Sequence, residues 1–326
     1  MLNKSNDHFL TKIKITQFKC FFHFKAEGFK RVNLIGGKNN VGKTAFMESC
    51  YINVHGSTVD YLITALTDIK YMRENVNLIN TESKTDNGKF LDATKCYEVS
   101  SDVDFQSYSL KEGDAKKEYH LKIGYSSDVN VLNAKDVSIR VCRKNNVAFI
   151  DNVGWTDHDL TKKYEVIQTY DKESELNDFI FAFDSDIESF KVIGDKPQCK
   201  VKNQYREITE FGDGLRHYIS IICALYACEN GYLFIDEIDN GIHYTQLDRL
   251  WTLIFELSKK TNCQIFATTH SKEMLESFAR VAKKMDEKDI SYTTLVKNKQ
   301  SEIVAVTRDY EMLLDSIEQD REVRGW

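Results

Sequence analysis

Eight consecutive residues near the start of the chain have the types and spacing of a phosphate-binding loop. They are Gly37, Lys38, Asn39, Asn40, Val41, Gly42, Lys43 and Thr44. The pattern fits G-x-x-x-x-G-K-[ST], in which glycines let backbone N–H groups point at phosphates. Lys43 would reach the β- and γ-phosphates of ATP, and the Thr44 hydroxyl would bind Mg²⁺. The alternative is a chance glycine turn before a helix.

Two adjacent carboxylates, Asp236 and Glu237, follow the apolar run Leu233-Phe234-Ile235. A hydrophobic strand of this kind delivers its last side chains to the edge of the sheet where a phosphate loop lies. Asp236 would hold Mg²⁺, usually through water, and Glu237 would orient and deprotonate the attacking water. By itself the pattern also fits a strand that runs into an acidic loop, so its weight depends on the phosphate loop.

A histidine, His270, follows a second apolar strand, Cys263–Thr268. In this position it can hydrogen-bond the γ-phosphate and the attacking water. An isolated histidine is more often structural, but the strand before it and the helix after it favour a functional role. We therefore assign Glu237, His270 and Lys43 as the catalytic residues.

A second glycine turn, Gly212-Asp213-Gly214, leads into the apolar segment Tyr218–Cys228. The N-terminus of a helix that follows such a turn attracts anions, so the turn is a second candidate phosphate site. An ordinary turn at the start of a buried helix fits these residues equally well.

The elements around these residues are those that a phosphate loop needs. Strand Arg31–Ile35 precedes the loop and helix Ala45–Ile52 follows it. Alternating apolar residues predict an earlier strand at Phe9–Phe18, and Cys20–Lys25 is a second extended segment. Towards the end of the chain, Asp239–Leu257 starts as a loop and runs into a helix, and Ser271 caps a helix over Lys272–Lys283. We also expect a hairpin of Ile290–Leu295 with Ile303–Val306 and a helical tail over Asp309–Glu318.

The middle of the chain is interpreted as an antiparallel β-lobe over residues 90–170, with a hairpin of Val137–Val141 and Val147–Ile150. A helix is expected at Val59–Met72, and Leu176–Phe190 has helical character. We see no sustained heptads, internal repeats or low-complexity tract, so a long coiled coil is not expected.

Composition limits the class of protein. The net charge of −6 argues against a protein whose whole surface is basic, although it allows a local basic patch. None of the eight cysteines forms a C-x-x-C pair, which favours a reduced, cytoplasmic protein. The first eight residues are polar, and the longest apolar run is too short to span a bilayer, so no signal peptide and no membrane contact are expected.

The order of these motifs resembles the ATPase heads of the ABC class, in the branch that holds the SMC, RecF and OLD-like proteins. The likeness to small bacterial OLD-like "AAA family" ATPases is the most specific. Its motifs are Gly212–Arg216, Ile235–His243 and Phe266–Ser271, with Ile15–Phe21 as the first strand and Glu322-Val323-Arg324 as a similar ending. The resemblance covers both ends of the chain well and the middle poorly.

The resemblance implies an α/β fold: an ABC-type P-loop head with a mixed central sheet, an antiparallel β-lobe and a helical insertion. It implies one head, with a nucleotide-binding core of residues 1–55 and 200–326 and an insertion of residues 56–199. It also implies that two heads enclose ATP, so that Gly212, Asp213 and Gly214 contact nucleotide held by a second subunit. Asp239 would lie in the loop that crosses this interface.

The chain also departs from the wider class in ways that narrow its function. Gly212 stands where a transporter signature has serine, so one hydroxyl contact to the γ-phosphate is missing. Ile238 stands where transporter subunits usually have proline. The stretch after His270 is too short for the Toprim domain of larger OLD nucleases, so we expect any nuclease or toxin activity in a separate polypeptide. Gln106 and Gln168 are the candidates for the glutamine loop of the class.

These observations predict a cytoplasmic ATPase that uses ATP and Mg²⁺, forms a homodimer or higher oligomer through ATP, and controls a separate effector protein. The resemblance suggests a bacterial anti-phage defence system. The alternative is a RecF-like DNA-repair ATPase with a basic strip that includes Lys12, Lys14, Lys19 and Lys25. A scaffold that binds ATP without hydrolysing it ranks last, because every catalytic residue type is present.

Overall fold

The computed structural model describes residues 8–56, 61, 64–65, 68–69, 103–105, 119–121, 144–152 and 154–319. The labelled helices are α1 (Lys43–His55), α2 (Asp157–Thr169), α3 (Glu173–Phe183), α4 (Asp213–Ala227), α5 (Leu247–Thr261), α6 (Lys272–Met285) and α7 (Tyr310–Glu318). The strands are β1 (Lys12–Phe18), β2 (Phe21–Glu27), β3 (Val32–Gly37), β4 (Val103–Phe105), β5 (Tyr119–Leu121), β6 (Val147–Ile150), β7 (Ser189–Ile193), β8 (Lys196–Val201), β9 (Gln204–Glu207), β10 (Tyr232–Ile235), β11 (Gln264–Thr268), β12 (Ile290–Lys297) and β13 (Ile303–Asp309).

The chain forms two compact units. The first comprises Met1–Lys12, Ala26–Met47 and Asn145–Trp326, and the second comprises Ile13–Lys25 and Glu48–Lys144. Within the second unit, β4 and β5 pair antiparallel. The predicted division into a core of residues 1–55 and 200–326 and an insertion of residues 56–199 stays a prediction.

A six-stranded sheet organises the first unit, in the order β13-β12-β3-β11-β10-β6. Its five strands from β12 to β6 run parallel, and β13 pairs antiparallel with β12. The predicted mixed sheet is therefore confirmed, as are the closing hairpin and the helical tail. A separate antiparallel sheet, β7-β8-β9, precedes α4.

A row of aromatic side chains crosses the central sheet. Phe149, Phe234 and Phe266 occupy one row across three neighbouring strands and stack with ring centroids 6.2 and 5.5 Å apart. Such cross-strand aromatic pairs add to sheet stability. The apolar segment Tyr218–Cys228, interpreted as a buried helix, lies in α4, most of whose residues are buried. No helix in the described ranges combines the length and apolarity that a bilayer crossing needs.

Two interpretations of the middle of the chain are wrong. Val147–Ile150 was expected in a β-lobe hairpin, but β6 pairs in parallel with β10 at the edge of the central sheet. Residues 157–169, expected in the same lobe, form α2. A short apolar run such as Val-Ala-Phe-Ile suits a buried parallel strand as well as a hairpin arm, and its pattern does not distinguish them.

Several other interpretations concern residues outside the described ranges. They include most of the helix expected at Val59–Met72, the strand Val137–Val141, Gln106 and the ending Glu322-Val323-Arg324.

A buried arginine, Arg31, ties the start of β3 to the elements behind it. Its guanidinium donates to the Phe255 carbonyl at 3.2 Å and to the Ser258 hydroxyl of α5. It also pairs with Glu287 (2.6 Å) in the turn that leads to β12. Since Arg31 is 5% exposed, these partners replace the water that its charge would otherwise need.

We expect Arg31→Met to lower the free energy of unfolding by about 3–5 kcal/mol, because it leaves the buried Glu287 carboxylate without its partner. Denaturant unfolding measures the change. The matched control is Lys283→Met, which removes the surface pair between Lys283 and Glu318 and should have a far smaller effect. Equal losses in the two variants would contradict a structural role for the Arg31 cluster.

Candidate active site

The glycine loop has the backbone geometry of a phosphate cradle. Gly37 (φ 140°), Asn40 (φ 59°) and Gly42 (φ 98°) all have positive φ, and α1 begins immediately afterwards at Lys43. A Cβ on Gly37 would lie 2.6 Å from the Leu295 carbonyl oxygen, so only glycine fits there. The loop therefore ends in the free N–H groups of a helix N-terminus, where anions are favoured.

The Lys43 ammonium holds the loop closed on itself. It donates to the carbonyl oxygens of Gly37 and Lys38, both at 3.0 Å, and lies 3.1 Å from Nδ1 of His270. Burial lowers the pKa of Lys43 to about 8, and the negative charges of Asp236 and Glu237 offset part of that shift. A group held in this way can exchange carbonyl partners for phosphate oxygens.

Asp236 and Glu237 follow β10, and the Thr268 hydroxyl at the end of β11 fixes both. It donates to the Asp236 carboxylate at 2.6 Å and accepts from the Glu237 N–H at 2.8 Å. Glu237 has φ 51°, a left-handed conformation that the two contacts help to maintain. One side chain thus sets the positions of the two predicted acidic residues.

His270 connects Lys43 with Glu237. Its Nε2 lies 3.6 Å from the Glu237 carboxylate, and its Nδ1 faces the Lys43 ammonium. Burial and the charge of Lys43 lower the pKa of His270, so the ring is neutral near pH 7. Because an ammonium only donates, Nδ1 accepts, and the single ring proton lies on Nε2, facing Glu237.

The loop after Glu237 is fastened from two sides. Asp239 accepts a hydrogen bond from the Thr269 hydroxyl at 2.7 Å. On the other side, Gly214 touches Gly241 so closely that a Cβ on Gly214 would lie 2.0 Å from the Gly241 oxygen. The exposed residues Gly212 and Asp213 lie directly before Gly214, at the start of the helix that contacts this loop.

The structure adds two residues to the predicted site. Thr268 was included in a motif but given no role. Gly36, one residue before the predicted loop, lies under a buried tyrosine: a Cβ there would be 2.1 Å from the Tyr292 hydroxyl. Only the tertiary packing of β12 beside β3 reveals the Gly36 constraint. The role of Thr268 could have been inferred from the sequence, because it is a hydroxyl residue at the end of a predicted strand of the same sheet as the acidic pair.

The predicted metal ligands are suited to Mg²⁺. The Asp236 carboxylate and the Thr44 hydroxyl both offer oxygen atoms. Asp236 is 9% exposed, and Thr44 lies in the first turn of α1. Among the described residues, no group of three or more His, Cys, Asp or Glu side chains could hold a metal ion. Mg²⁺ usually takes one or two protein ligands and completes its shell with phosphate and water, so this small donor set fits it.

Comparison with known proteins finds related sequences and a related fold. A family model described as "AAA ATPase domain" matches residues 148–275. A protein of Helicobacter pylori named "ATP/GTP phosphatase" is 23% identical over 92% of this chain and 95% of its own length. The uncharacterized protein MJECL11 of Methanocaldococcus jannaschii is 26% identical over 35% of this chain and 89% of its own length.

A solved structure titled as the SmcHead bound to the C-winged helix domain of ScpA has the same fold, with a TM-score of 0.51. The aligned region covers 93% of this chain and 99% of that chain, at 12% sequence identity. The protein is a P-loop ATPase with an ABC-type head fold. The predicted fold class and the predicted ATPase activity are both confirmed. The OLD-like subfamily stays a prediction.

We expect Thr268→Val in this ATPase to lower kcat by about 10- to 100-fold, because it removes the hydrogen bonds to Asp236 and to the Glu237 N–H at nearly constant volume. Steady-state phosphate release measures the change. Thr261→Val is the matched control. Thr261 is also buried and bonded, to the Leu257 carbonyl at 2.8 Å, but it precedes the opposite end of β11. A Thr268→Val enzyme as active as that control would disprove this role of Thr268.

Proposed function

We propose that this ATPase uses Glu237 as the general base and Lys43 and His270 to position the γ-phosphate. The observation that carries the proposal is the line of contacts from Lys43 to His270 (3.1 Å) and from His270 to Glu237 (3.6 Å). It joins a phosphate-binding cation to a carboxylate through a neutral imidazole. Such an arrangement would allow Glu237 and His270 to orient a water molecule for attack on the γ-phosphate.

The proposed reaction is a single displacement. A water oxygen bonds to the γ-phosphorus while the bond from that phosphorus to the β,γ-bridging oxygen breaks, and ADP leaves with the bonding pair. Glu237 takes the proton of the water, and the Nε2–H of His270 donates to the oxygen that gains charge. Mg²⁺, held by Thr44 and Asp236, would neutralise charge on the phosphates. Lys43 would exchange the Gly37 and Lys38 carbonyls for phosphate oxygens.

We further propose that ATP joins two copies of the chain, with Gly212, Asp213 and Gly214 of one copy facing the nucleotide of the other. Two features support this proposal. Gly212 and Asp213 are exposed at the N-terminus of a 15-residue helix, where an anion is favoured. A Cβ on Gly212 would meet nothing within 4 Å, so the turn has room for a ligand. Without the signature serine, turnover should be slow.

The biological role that we propose is conformational control of a separate effector, as in bacterial anti-phage systems, by a cytoplasmic protein. ATP would join the heads, hydrolysis would release them, and a partner would recognise one of the two states. This proposal rests on the resemblance described above. Five free cysteines of the described residues are buried, which fits a reducing compartment: Cys50, Cys199, Cys223, Cys228 and Cys263.

One observation favours the alternative, a RecF-like ATPase that acts on DNA. Lys12 and Lys14 on β1 and Lys25 on β2 are exposed, as a contact with phosphates requires. Lys19 differs from them, because it pairs with Glu48 of α1.

The assignment of the base is tested by two variants. Lys43→Ala should abolish ATP binding, because it removes the cation that the phosphates need. Glu237→Gln should bind ATP, lose at least about 10²-fold in hydrolysis and accumulate as a joined dimer. Nucleotide titration, phosphate release and light scattering measure the three properties. Hydrolysis by Glu237→Gln at the wild-type rate would show that Glu237 is not the base.

The lowered pKa of Lys43 predicts a pH dependence. Phosphate binds the ammonium form of Lys43. Above pH 8 the Lys43 amine of the free protein is mostly neutral and must take up a proton when ATP binds. The affinity for ATP should therefore fall by about tenfold per pH unit above pH 8. Titration calorimetry in buffers of different ionisation enthalpy would detect the proton uptake. Lys43→Arg should remove the slope from whatever binding remains, because arginine stays charged.

The partner is tested by purifying tagged Glu237→Gln from its native host in ATP, with Lys43→Ala as the matched control. A protein retained stoichiometrically by the first variant alone would support effector control. DNA retained by the first variant alone, without a protein, would support the alternative. Material retained equally by both would count against any ATP-dependent partner.

A further inference from the structure

His217 is a buried histidine whose ring nitrogens make no hydrogen bond with the described residues. It lies on the second turn of α4 and is 2% exposed. A buried imidazole without partners carries a free-energy cost that an apolar side chain of similar size would avoid. Its presence at this position therefore calls for a reason other than packing.

The surroundings of His217 suggest that reason. The ring faces the backbone of Ile238, the residue directly after Glu237, without reaching hydrogen-bond geometry. The Ile238 N–H already donates to the Thr268 carbonyl at 3.0 Å, so the carbonyl of Ile238 is the group that can accept from the imidazole. Burial lowers the pKa of His217 to about 4, which leaves a neutral ring with one N–H to donate.

The helix that carries His217 touches the loop after Glu237 at a second place. One turn earlier, Gly214 packs against Gly241, where the backbones leave no room for a Cβ on either residue. The first two turns of α4 therefore contact both ends of the segment 238–241. Gly212 and Asp213, the residues proposed to meet a second subunit's nucleotide, stand at the start of the same helix. α4 therefore connects the turn Gly212–Gly214 to the residue next to Glu237.

We propose that His217 is a positioning residue for Glu237. When the turn Gly212–Gly214 engages nucleotide, the imidazole N–H donates to the Ile238 carbonyl, and this bond holds Glu237 in its reactive position. The inference rests on the proposed function of Glu237 and of the turn. It assigns to His217 a hydrogen bond that forms in the joined state and is absent from the free subunit.

Four substitutions test the proposal by steady-state kinetics and thermal unfolding. His217→Phe and His217→Leu keep an apolar core but cannot donate. They should lower kcat by at least about tenfold with KM for ATP nearly unchanged and with no loss of thermal stability. His217→Asn and His217→Gln present an amide N–H near the Nδ1 and Nε2 positions, and one of them should restore most of kcat. Wild-type kcat in both apolar variants, or a loss of kcat that neither amide restores, would overturn the proposal.

A spectroscopic measurement keeps the test valid if the apolar variants do not fold. In Glu237→Gln protein labelled with ¹⁵N-histidine, ATP should shift the ring N–H signal of His217 towards a hydrogen-bonded position, with His217→Asn used for assignment. An unchanged signal in a dimer that has formed would overturn the inference. The role of Glu237 is tested separately. If Glu237→Gln hydrolyses ATP normally, the proposed function of Glu237 fails. If Glu237→Gln is inactive while His217→Phe is fully active, only the inference about His217 fails.

Discussion

The parallel register of β3, β11 and β10 is the constraint on which the active site depends. Ile35 is opposite Thr268, and Ala267 is opposite Ile235, so the three strands end at nearly the same level. Parallel strands present their carboxyl ends at one edge of the sheet. The phosphate loop, the acidic pair and the Thr268–His270 segment, which are far apart in sequence, therefore meet there. A slip of one residue in β11 would turn Thr268 to the other face and separate Asp236 from its hydrogen-bond donor.

Much of this edge could be predicted from the sequence because the residues directly after each apolar run indicate where the strand ends. An apolar run followed by glycines, by two carboxylates or by Thr-His-Ser identifies a strand terminus without knowledge of its neighbours. The Ser271 cap is equally local, since its hydroxyl accepts from the N–H of Met274 three residues later, at 3.0 Å. Strand ends and helix caps that are set by residues within a few positions were predicted correctly for that reason.

The features that could not be predicted depend on partners remote in sequence. β6 has the same apolar composition as a hairpin arm, and only its pairing with β10 makes it the edge of the central sheet. The need for glycine at position 36 comes from the Tyr292 ring, which β12 brings over it. The closeness of Gly214 to Gly241 depends likewise on how α4 meets the loop after Glu237. In each case the pattern of one segment is compatible with several neighbours, and packing selects among them.

The two glycines of the α4 turn show how packing and function can be separated. Gly214 is required by the fold, because its Cβ would overlap the Gly241 backbone. Gly212 is not, because a Cβ there would meet nothing within 4 Å, and its φ of −65° suits any residue. Serine would therefore fit at position 212 without strain and would also cap α4, whose N-cap has no side-chain hydrogen bond. Since neither sterics nor helix stability favours glycine there, the missing hydroxyl is best explained by what faces the turn. In the proposed dimer, the nucleotide of a second subunit faces the turn. The absence of the serine hydroxyl there would slow hydrolysis and keep the joined state long-lived.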